Sequence, residues 1–223
     1  MLSPKLYEDS HKYDLFMRVF GFEASVERFL KRCEIPAIQD GQILDNGCGS
    51  GTIGIHFLEA SNNSTLLSTD LEPNFLDAAQ KKAQRRGIVE GTMQVGIANI
   101  SNPEQVTTLD QSELKLSPNT FQLICLGAVL GYAENPESSL RTLVHLLQPG
   151  GYLLNLEMSE TMLGRYVSQR YHYKNISLDE MEEILKGEGC SVEQRTMGWS
   201  HFPACMTRTS LIARKNNTQS ISP

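Results

Sequence analysis

The sequence is short of the features that bind nucleic acid, cross membranes or direct export. Its 223 residues carry 20 Lys and Arg against 26 Asp and Glu, a formal net charge of -6, so the surface has no general attraction for a phosphate backbone. No run of eighteen apolar residues occurs, and the opening residues, MLSPKLYEDS, contain acids where a signal peptide needs an apolar core. We therefore expect a cytoplasmic protein with no membrane span and no nucleic-acid partner.

Cysteine and metal-ligand patterns are also scarce. The cysteines are odd in number, widely spaced and free of any C-x-x-C pair: Cys33, Cys48, Cys125, Cys190 and Cys205. This spacing argues against a disulfide framework or a zinc knuckle, and no cluster of His, Asp and Glu has the spacing of a metal site. Low-complexity sequence is missing too, because the 17 Gly and 9 Pro are scattered. What remains is one sizeable globular domain for which no metal is predicted.

From residue 42 onward, short apolar runs alternate with helical periodicity. Five runs are typical of buried strands: 43–44, 65–69, 93–95, 121–126 and 152–156. The helical stripes between them predict βαβ units, which build a parallel sheet with helices on both faces. Residues 191–196 and 207–213 are two further strand-like runs, and because only about ten residues separate them, they should pair as an antiparallel hairpin. The predicted fold class is therefore α/β, a doubly wound, mostly parallel sheet of seven strands with a terminal antiparallel hairpin.

The two ends of the chain differ from this central pattern. Apolar residues recur at three- and four-residue steps from Phe22 to Cys33, which predicts an amphipathic helix that ends near Pro36. This helix should cover the sheet, whereas the last residues are polar and should fray. The chain is therefore divided into three parts: a helical lid segment at 1–40, the main domain at 41–215 and a flexible tail at 216–223.

The most informative stretch is a strand that runs directly into three alternate glycines and then into a helix. Residues 43–52 read ILDNGCGSGT, and glycines at such a turn allow positive φ and let a ligand approach the backbone. Free amides at the helix N-terminus favour an anionic group such as a carboxylate. Asp70 ends the next strand, 19 residues after Gly51, close to the ~20-residue offset at which an acid reaches a ribose hydroxyl. A tight turn without a ligand, and a helix cap at Asp70, are the structural alternatives.

The spacing of the glycines separates two classes of nucleotide site. A dinucleotide fingerprint has G-x-G-x-x-G/A, whereas Gly47, Gly49 and Gly51 stand at G-x-G-x-G. With Asp45 two residues before the first glycine, this motif resembles that of the class I S-adenosylmethionine-dependent methyltransferases. The strand FQLICL and the later segment from NPE to LQPGGYLL also resemble that family, and the resemblance extends over most of residues 7–214. It implies a Rossmann-like fold, S-adenosylmethionine as the cofactor and transfer of a methyl group.

Each matched position takes a role from this resemblance. The three glycines would hold the methionine part of the cofactor, Asp45 would orient its amino group directly or through water, and Asp70 would bind the ribose hydroxyls. Leu71 would pack on the adenine, unless it is an ordinary core leucine. Asn99 would face the exocyclic amine of adenine, because Ile97 stands where many relatives have an acid. The expected cofactor-binding residues are Tyr13, Asp45, Gly47, Gly49, Gly51, Asp70, Leu71, Ala98, Asn99, Leu126 and Gly127.

Two further segments match the family at the ends of the cofactor. Tyr13 and the Asp after it resemble the Tyr-Asp of the small-molecule branch that includes quinone-biosynthesis methyltransferases, where this region folds over the cofactor. Leu126 and Gly127 end the fourth parallel strand and would line the sulfonium end, mainly through backbone groups. That strand starts with Gln122 in place of a frequent Asp. The expected partner is a small-molecule methyl acceptor, and a homodimer is left open.

Transfer of a sulfonium methyl is an in-line displacement, so the protein must position the acceptor collinearly and exclude water. A general base is needed only where the acceptor arrives protonated. The candidate catalytic residues are His172, His201 and Tyr132, which stand in segments expected at the carboxyl edge of the sheet, where ligands bind in doubly wound folds. Other acceptor-pocket candidates in those segments are Glu157, Arg165, Tyr166, Tyr171, Tyr173, Trp199, Phe202 and Met206. Ordinary packing explains each of them equally well.

Two hypotheses other than a small-molecule methyltransferase stay open. The protein could bind the cofactor without transferring a methyl group, as a partner subunit or a rearrangement catalyst, because Ile97 and Gln122 depart from the family pattern. A nicotinamide oxidoreductase is the third hypothesis, which the glycine spacing and the terminal hairpin disfavour. The basic run from Lys81 to Arg86 is interpreted as a solvated helix face and not as an RNA site. The acceptor atom, whether O, N, S or C, is not readable from the sequence.

Overall fold

The structure is a computed structural model that describes residues 21–217. Residues 1–20 and 218–223 lie outside the described residues, so the expected cofactor contact Tyr13 lies outside them as well. The division of the chain into a lid segment, a main domain and a tail stays a prediction.

One sheet contains all the named strands of the described residues. These are β1 (Gln42–Asn46), β2 (Thr65–Asp70), β3 (Met93–Ile97), β4 (Gln105–Thr108), β5 (Glu113–Lys115), β6 (Phe121–Gly127), β7 (Leu147–Met158), β8 (Cys190–Arg195) and β9 (Arg208–Lys215). Their order across the sheet is β5-β4-β3-β2-β1-β6-β7-β9-β8. The central five, from β3 to β7, are parallel, and β9 pairs antiparallel with both β7 and β8. The predicted α/β class, with a mostly parallel sheet and a terminal antiparallel hairpin, is confirmed.

The predicted count of seven strands was too low, because the sheet has nine. The two additional strands, β4 and β5, extend the edge beyond β3 in antiparallel pairing. Val106 is the one buried residue of β4, and all of β5 is exposed. A search for buried apolar runs cannot find such strands, since backbone pairing and not side-chain burial holds them in the sheet.

Six α-helices flank this sheet in the described part of the chain. They are α1 (Phe22–Leu30), α2 (Thr52–Glu59), α3 (Pro73–Arg85), α4 (Pro136–Leu146), α5 (Met162–Arg170) and α6 (Leu178–Gly187). The predicted N-terminal helix ends at Leu30, earlier than expected, although Cys33 beyond it is still buried. The sequence did not predict α5, because only Gly164 and Ser168 of this helix are buried and no apolar stripe marks it. Of the helices between residues 21 and 217, none has the length and apolar character that a bilayer crossing requires.

The sheet is buried on both faces, as its near-continuous apolar strands predict. Leu44, Leu126 and Leu153 point to one face, where they pack with residues of α4 and α6. Their neighbours Ile43 and Leu123 point to the opposite face, which α1 and α2 cover. A fully buried Leu or Ile side chain contributes about 1.5–3 kcal/mol, so this two-sided core fixes the sheet and the loops at its edges.

Strand order positions the site. The chain leaves β1 toward β2 and β3 on one side, and later returns to β6 and β7 on the other, so the order of connection reverses at β1. The carboxyl ends of β1, β2, β3 and β6 lie at Asn46, Asp70, Ile97 and Gly127, along one edge of the sheet. Ligands of open α/β sheets bind outside this edge at the reversal point.

Candidate functional site

The glycine-rich turn between β1 and α2 is shaped by three residues with positive φ. Gly47, Gly49 and Gly51 have φ values of 74°, 51° and 78°. A Cβ atom on Gly47 would overlap the side chain of Val129, and one on Gly51 would lie 3.0 Å from the Cβ atom of Ala79. A Cβ atom on Gly49 would meet no atom within 4 Å. Two glycines are therefore needed for close packing, whereas Gly49 faces open space in which a ligand can approach the backbone.

Asp70, at the end of β2, is bonded directly to this turn. Its Oδ2 atom accepts a hydrogen bond from the Gly49 amide at 2.9 Å, and its Oδ1 atom accepts one from the Glu72 amide at 3.1 Å. Burial raises the pKa of Asp70, and the two amides act in the opposite direction. The N-cap of α3 is Glu72, so Asp70 is not the cap of that helix. Each carboxylate oxygen keeps a lone pair for a further donor, such as a ribose hydroxyl.

Asp45 lies behind the turn and has one unused acceptor atom. Its Oδ2 atom accepts a hydrogen bond from the Gly54 amide of α2 at 2.9 Å. Its Oδ1 atom is buried and has no hydrogen-bond partner among residues 21–217. Burial raises the pKa of Asp45 to about 7, the amide of Gly54 and the ammonium of Lys82 lower it, and the neighbouring charge of Asp70 raises it. An unpartnered carboxylate oxygen at this place suits a cationic amino group or the water that solvates one.

These three features together test whether the predicted cofactor fits. Open space lies in front of Gly49, an unused acceptor on Asp45 lies behind the turn, and the carboxylate of Asp70 lies beside it. A ligand with an amino-acid tail and a ribose needs an open turn, an acceptor for its amino group and an acid for its ribose hydroxyls at this edge of the sheet. The residues present therefore fit S-adenosylmethionine.

The residues predicted at the adenine follow the ends of β2 and β3. Leu71 is 47% exposed, so it is not a core leucine. Ala98 is buried, and its amide donates to the carbonyl oxygen of Asp70 at 3.2 Å, which holds the two strand ends together. Asn99 is exposed, and its Oδ1 atom accepts from the Ser101 amide at 2.9 Å. A second lone pair of that oxygen remains for an amine donor.

The end of β6 closes the crevice from the other side. Leu126 is completely buried, so it can contribute backbone atoms alone. A Cβ atom on Gly127 would lie 3.2 Å from the Cδ1 atom of Ile53. The next residue, Ala128, has a φ of 53°, which side chains with a Cβ rarely adopt, and its amide donates to the Leu156 carbonyl oxygen at 2.8 Å. Strained backbone of this kind clusters at functional sites.

The three catalytic candidates lie in different surroundings. The ring of Tyr132, which is partly exposed, contacts Tyr173 edge to face with 5.0 Å between centroids. His172 is exposed and has a φ of 53°. The ring of His201 is buried against Phe29 with centroids 5.5 Å apart, and neither of its nitrogens has a hydrogen-bond partner in the described part of the chain. Burial, and then the cations of Arg32 and Arg28, lower the pKa of His201. The three residues stand in three separate segments: the turn after β6, the link after α5 and the segment between β8 and β9.

A buried acid with a tyrosine partner stands at the end of β7. Glu157 is completely buried and accepts hydrogen bonds from the Tyr173 hydroxyl, the Met158 amide at 2.8 Å and the Asn155 side chain at 3.1 Å. Burial raises the pKa of Glu157, and burial together with the charge of Glu157 raises that of Tyr173. In the sequence, Glu157 is an acid at the end of the apolar run of β7. This position made it a candidate for the acceptor pocket, but it did not reveal its hydrogen bonds.

Apolar side chains are exposed near the same edge. Trp199 is 84% exposed, and its ring stacks on Phe202 with centroids 6.5 Å apart. The segment that carries them is joined to α5 by the Thr161 hydroxyl, which donates to the Met206 carbonyl oxygen at 2.7 Å. Tyr166 of α5 is also exposed. This edge therefore offers an apolar, aromatic surface beside the crevice.

The prediction that the basic run on α3 is a solvated face was wrong for two of its residues. Lys81 and Arg85 are exposed, but Lys82 is only 4% exposed. Its Nζ atom lies in the glycine turn, within hydrogen-bond distance of Ser50 and Thr52. Arg86 is half-buried and pairs with acids of α1 and α2. Sequence periodicity missed this because a lysine on the buried stripe of a helix is normally an exception.

Comparison with known proteins agrees with this geometry. The chain matches the family described as Methyltransferase domain over residues 44–153. It is 28% identical over 188 residues to the ubiquinone/menaquinone biosynthesis C-methyltransferase UbiE of Shewanella sp. (strain ANA-3), an alignment that covers 82% of this chain and 68% of that protein.

Solved structures share the fold. A SAM-dependent methyltransferase of Thermotoga maritima superimposes with a TM-score of 0.64 and 15% identity, over 94% of this chain and 97% of that one. A Haemonchus contortus phosphoethanolamine N-methyltransferase, solved with S-adenosylhomocysteine, superimposes with a TM-score of 0.61 and 14% identity, over 84% of this chain and 51% of that one. At these identities the likeness concerns the fold.

The family match and the local geometry concern the same part of the chain. Residues 44–153 include the glycine turn, Asp70 and the end of β6. The sheet order and the fit of the crevice to the cofactor are consistent with that match. The family match, the similar relatives and the shared fold support a class I S-adenosylmethionine-dependent methyltransferase, with S-adenosylmethionine as its cofactor.

Proposed function

We propose that this methyltransferase transfers the methyl group of S-adenosylmethionine to a small-molecule acceptor by in-line displacement. The observation that carries the proposal is the bond between the Gly49 amide and the Asp70 carboxylate, next to open space in front of Gly49. This bond fixes a ribose-binding acid against the turn that would receive the amino-acid tail. The nucleoside and the tail would then lie across the edge of the sheet, with the sulfonium toward Gly127.

Several residues would hold the cofactor. The amides at the N-terminus of α2 would meet its carboxylate, because those of the three glycines already donate to Thr69, Asp70 and Cys48. The unused oxygen of Asp45 would attract its amino group directly or through water. Asp70 would accept from the ribose hydroxyls, Leu71 would cover the adenine and Asn99 would accept from the exocyclic amine. Leu126 and Gly127 would line the sulfonium end with backbone atoms, and Ala98 would brace the adenine side. Tyr13, outside the described residues, remains a proposed contact.

The bound cofactor supplies an electrophilic methyl group on a positively charged sulfur. The protein's part is to place the acceptor atom in line with the carbon–sulfur bond and to exclude water from the crevice. Ala128 and the residues after it follow β6, and we expect the acceptor atom to approach the methyl group beside them. Because the displacement needs no covalent bond to the enzyme, these residues would contribute to catalysis mainly by positioning the acceptor.

The acceptor would have an aromatic or apolar body. Tyr166, Trp199 and Phe202 are exposed at the edge where ligands of this fold bind, and they offer stacking and apolar contact. The Shewanella relative is named for C-methylation in the biosynthesis of ubiquinone and menaquinone, which supports an acceptor of this kind. The pocket would form between α5, the segment around Trp199 and the loop after β6.

A general base would act only on an acceptor that arrives protonated. His201 is the first candidate, because neither of its ring nitrogens has a hydrogen-bond partner in the described part of the chain, so either could take a proton from an acceptor that reaches it. His172 is the second candidate, and Tyr132 would orient the acceptor from the loop after β6. The pH dependence of kcat/KM for His201→Gln and His172→Gln distinguishes the two histidines, since the acidic limb should disappear in one variant.

Transfer of a label tests the proposal. The protein is incubated with S-adenosylmethionine that carries a labelled methyl group and with a small-metabolite extract, and labelled products are separated by mass spectrometry. The expected result is at least one labelled product that is missing when Asp70→Ala replaces the wild type. Binding of the cofactor without any labelled product would favour the alternative, a partner subunit or rearrangement catalyst. Tight binding of a nicotinamide dinucleotide and none of S-adenosylmethionine would contradict both.

A further inference from the structure

The buried cation of α3 is not used by the cofactor contacts described above. Lys82 is only 4% exposed, and burying an ammonium group costs several kcal/mol unless partners compensate it. Ala79 and Ala83 lie on the same helix face and are buried, as is usual for a core stripe. A lysine among them therefore needs an explanation beyond helix packing.

The partners of Lys82 come from the glycine turn and from α1. Its Nζ atom donates to the Ser50 hydroxyl at 3.1 Å and to the Thr52 hydroxyl at 2.7 Å. The same atom lies 2.6 Å from a carboxylate oxygen of Glu23. Each of these three oxygens can accept a hydrogen bond from the ammonium group. One side chain thus links α3, α1 and the turn.

The two hydroxyls belong to the residues that shape the turn. Ser50 stands between Gly49 and Gly51, and Thr52 is the first residue of α2. The turn also rests on α3 directly, because a Cβ atom on Gly51 would lie 3.0 Å from that of Ala79. Contacts with α3 therefore hold this turn in place, in addition to the bond between the Gly49 amide and Asp70.

The charge of Lys82 adds an electrostatic contribution. It lowers the pKa of Asp45, so its field reaches the acid behind the turn. It stands beside the N-terminus of α2, whose amides already favour a negative group. Glu23 offsets part of this charge from the side of α1. A carboxylate at the turn would therefore meet a positive field from two sources.

We infer that Lys82 is a positioning residue that sets the affinity for the amino-acid tail of the cofactor, by holding Ser50 and Thr52 and by adding positive charge at the turn. The inference rests on the proposed placement of that tail beside Gly49. It makes Lys82 specific for one part of the ligand, since the adenosine part lies at Asp70 and Leu71. A lysine that merely stabilises the fold would affect both parts alike.

Two ligands that differ in the tail provide the test. S-Adenosylhomocysteine has the amino-acid tail, and 5′-methylthioadenosine has the same nucleoside thioether without it. Calorimetric titration of Lys82→Met should show S-adenosylhomocysteine bound about tenfold or more weakly than by the wild type. Binding of 5′-methylthioadenosine should change by less than about twofold. Lys81→Met, at the exposed neighbouring position on α3, is the matched control and should change neither.

A second variant separates the charge of Lys82 from its ion pair. Glu23→Gln removes the acid and leaves the cation at the turn, so the ratio of the two affinities should stay within about twofold of the wild-type ratio. Equal weakening of both ligands by Lys82→Met, or the same change of ratio in both variants, would overturn the inference. A wild-type chain that binds the two ligands equally would also overturn it. If the wild type bound neither ligand, the proposed function itself would be contradicted, and the inference about Lys82 would fail with it.

Discussion

The carboxyl edge of the sheet is built differently on its two sides. Beside β1 and β2, backbone amides bind buried or half-buried acids, as Gly49 does with Asp70 and Gly54 with Asp45. Beside β7 and β9, the buried acid Glu157 is already bonded to its neighbours, and the accessible groups are aromatic, such as Trp199. The first side is specified by fixed polar contacts, and the second is an apolar surface. A cofactor that the whole family uses would require the fixed polar side, and an acceptor that differs from one family member to the next would require the apolar side.

The largest expected effect concerns Asp45, whose pKa is raised from 3.8 to about 7 by burial. Such a group stabilises the fold fully below pH 4, and that stabilisation is lost as the pH rises through 7, because the folded state holds the proton more tightly. The loss amounts to about 4 kcal/mol at most. Asp45→Asn keeps an acceptor for the Gly54 amide but has no carboxylate to titrate, so it should not show this loss of stability.

Urea unfolding of the cofactor-free protein between pH 4.5 and 8 measures this effect. The free energy of unfolding of the wild type should fall relative to that of Asp45→Asn as the pH rises. Asp70 and Glu157 also have raised pKa values, but they are present in both proteins, so the difference isolates Asp45. Parallel curves would show that the side chain is not buried as described.

Next in size is the loss of the proposed contact between Asp70 and the ribose. Asp70→Ala should weaken binding of S-adenosylmethionine by about 1–3 kcal/mol, the scale of hydrogen bonds to a charged group. Asp77→Ala is the matched control, since Asp77 is exposed on α3. Calorimetry gives both dissociation constants. An unchanged affinity in Asp70→Ala would remove Asp70 from the cofactor site.

Removing a hydrogen bond to Glu157, on the β7 side of the edge, should lower the stability of the protein and leave cofactor binding unchanged. Tyr173→Phe removes the hydroxyl that donates to Glu157 and should lower the free energy of unfolding by about 1–2 kcal/mol. Its dissociation constant for S-adenosylmethionine should stay at the wild-type value. Tyr166→Phe, at an exposed position of α5, should change neither quantity. A loss of cofactor affinity in Tyr173→Phe as large as that in Asp70→Ala would erase the distinction between the two sides.

The smallest effect on stability is expected at Trp199. Because its side chain is 84% exposed, Trp199→Ala should change the free energy of unfolding by less than about 0.5 kcal/mol. It should raise KM for the acceptor while leaving cofactor binding unchanged. Steady-state kinetics with the acceptor found by label transfer provides the measurement. Unchanged KM would place Trp199 outside the acceptor pocket.

The same difference explains what the sequence could predict. The glycine turn and the acid at the end of β2 are local features whose backbone geometry requires particular residues at particular positions. Both could therefore be predicted from the order of the residues. The apolar runs of β1 and β6 predicted the parallel sheet for the same reason. The β4–β5 pair could not be predicted, because only Val106 of β4 is buried and β5 is wholly exposed.

Long-range polar pairs were beyond the sequence as well. Lys82 is buried because Glu23, Ser50 and Thr52 come from two other parts of the chain to meet it. Helical periodicity places a lysine on a face, but it does not show what packs against that face. The α5 helix was missed because its exposed Tyr166 and its buried Gly164 produce no apolar stripe.

A crystal structure of the protein with S-adenosylhomocysteine tests the central claim most directly. The account predicts that both ribose hydroxyls lie within hydrogen-bond distance of Asp70 and that the amino-acid tail lies against residues 47–51. Electron density for the ligand at any other part of the molecule, with protein side chains filling the space in front of Gly49, would contradict it.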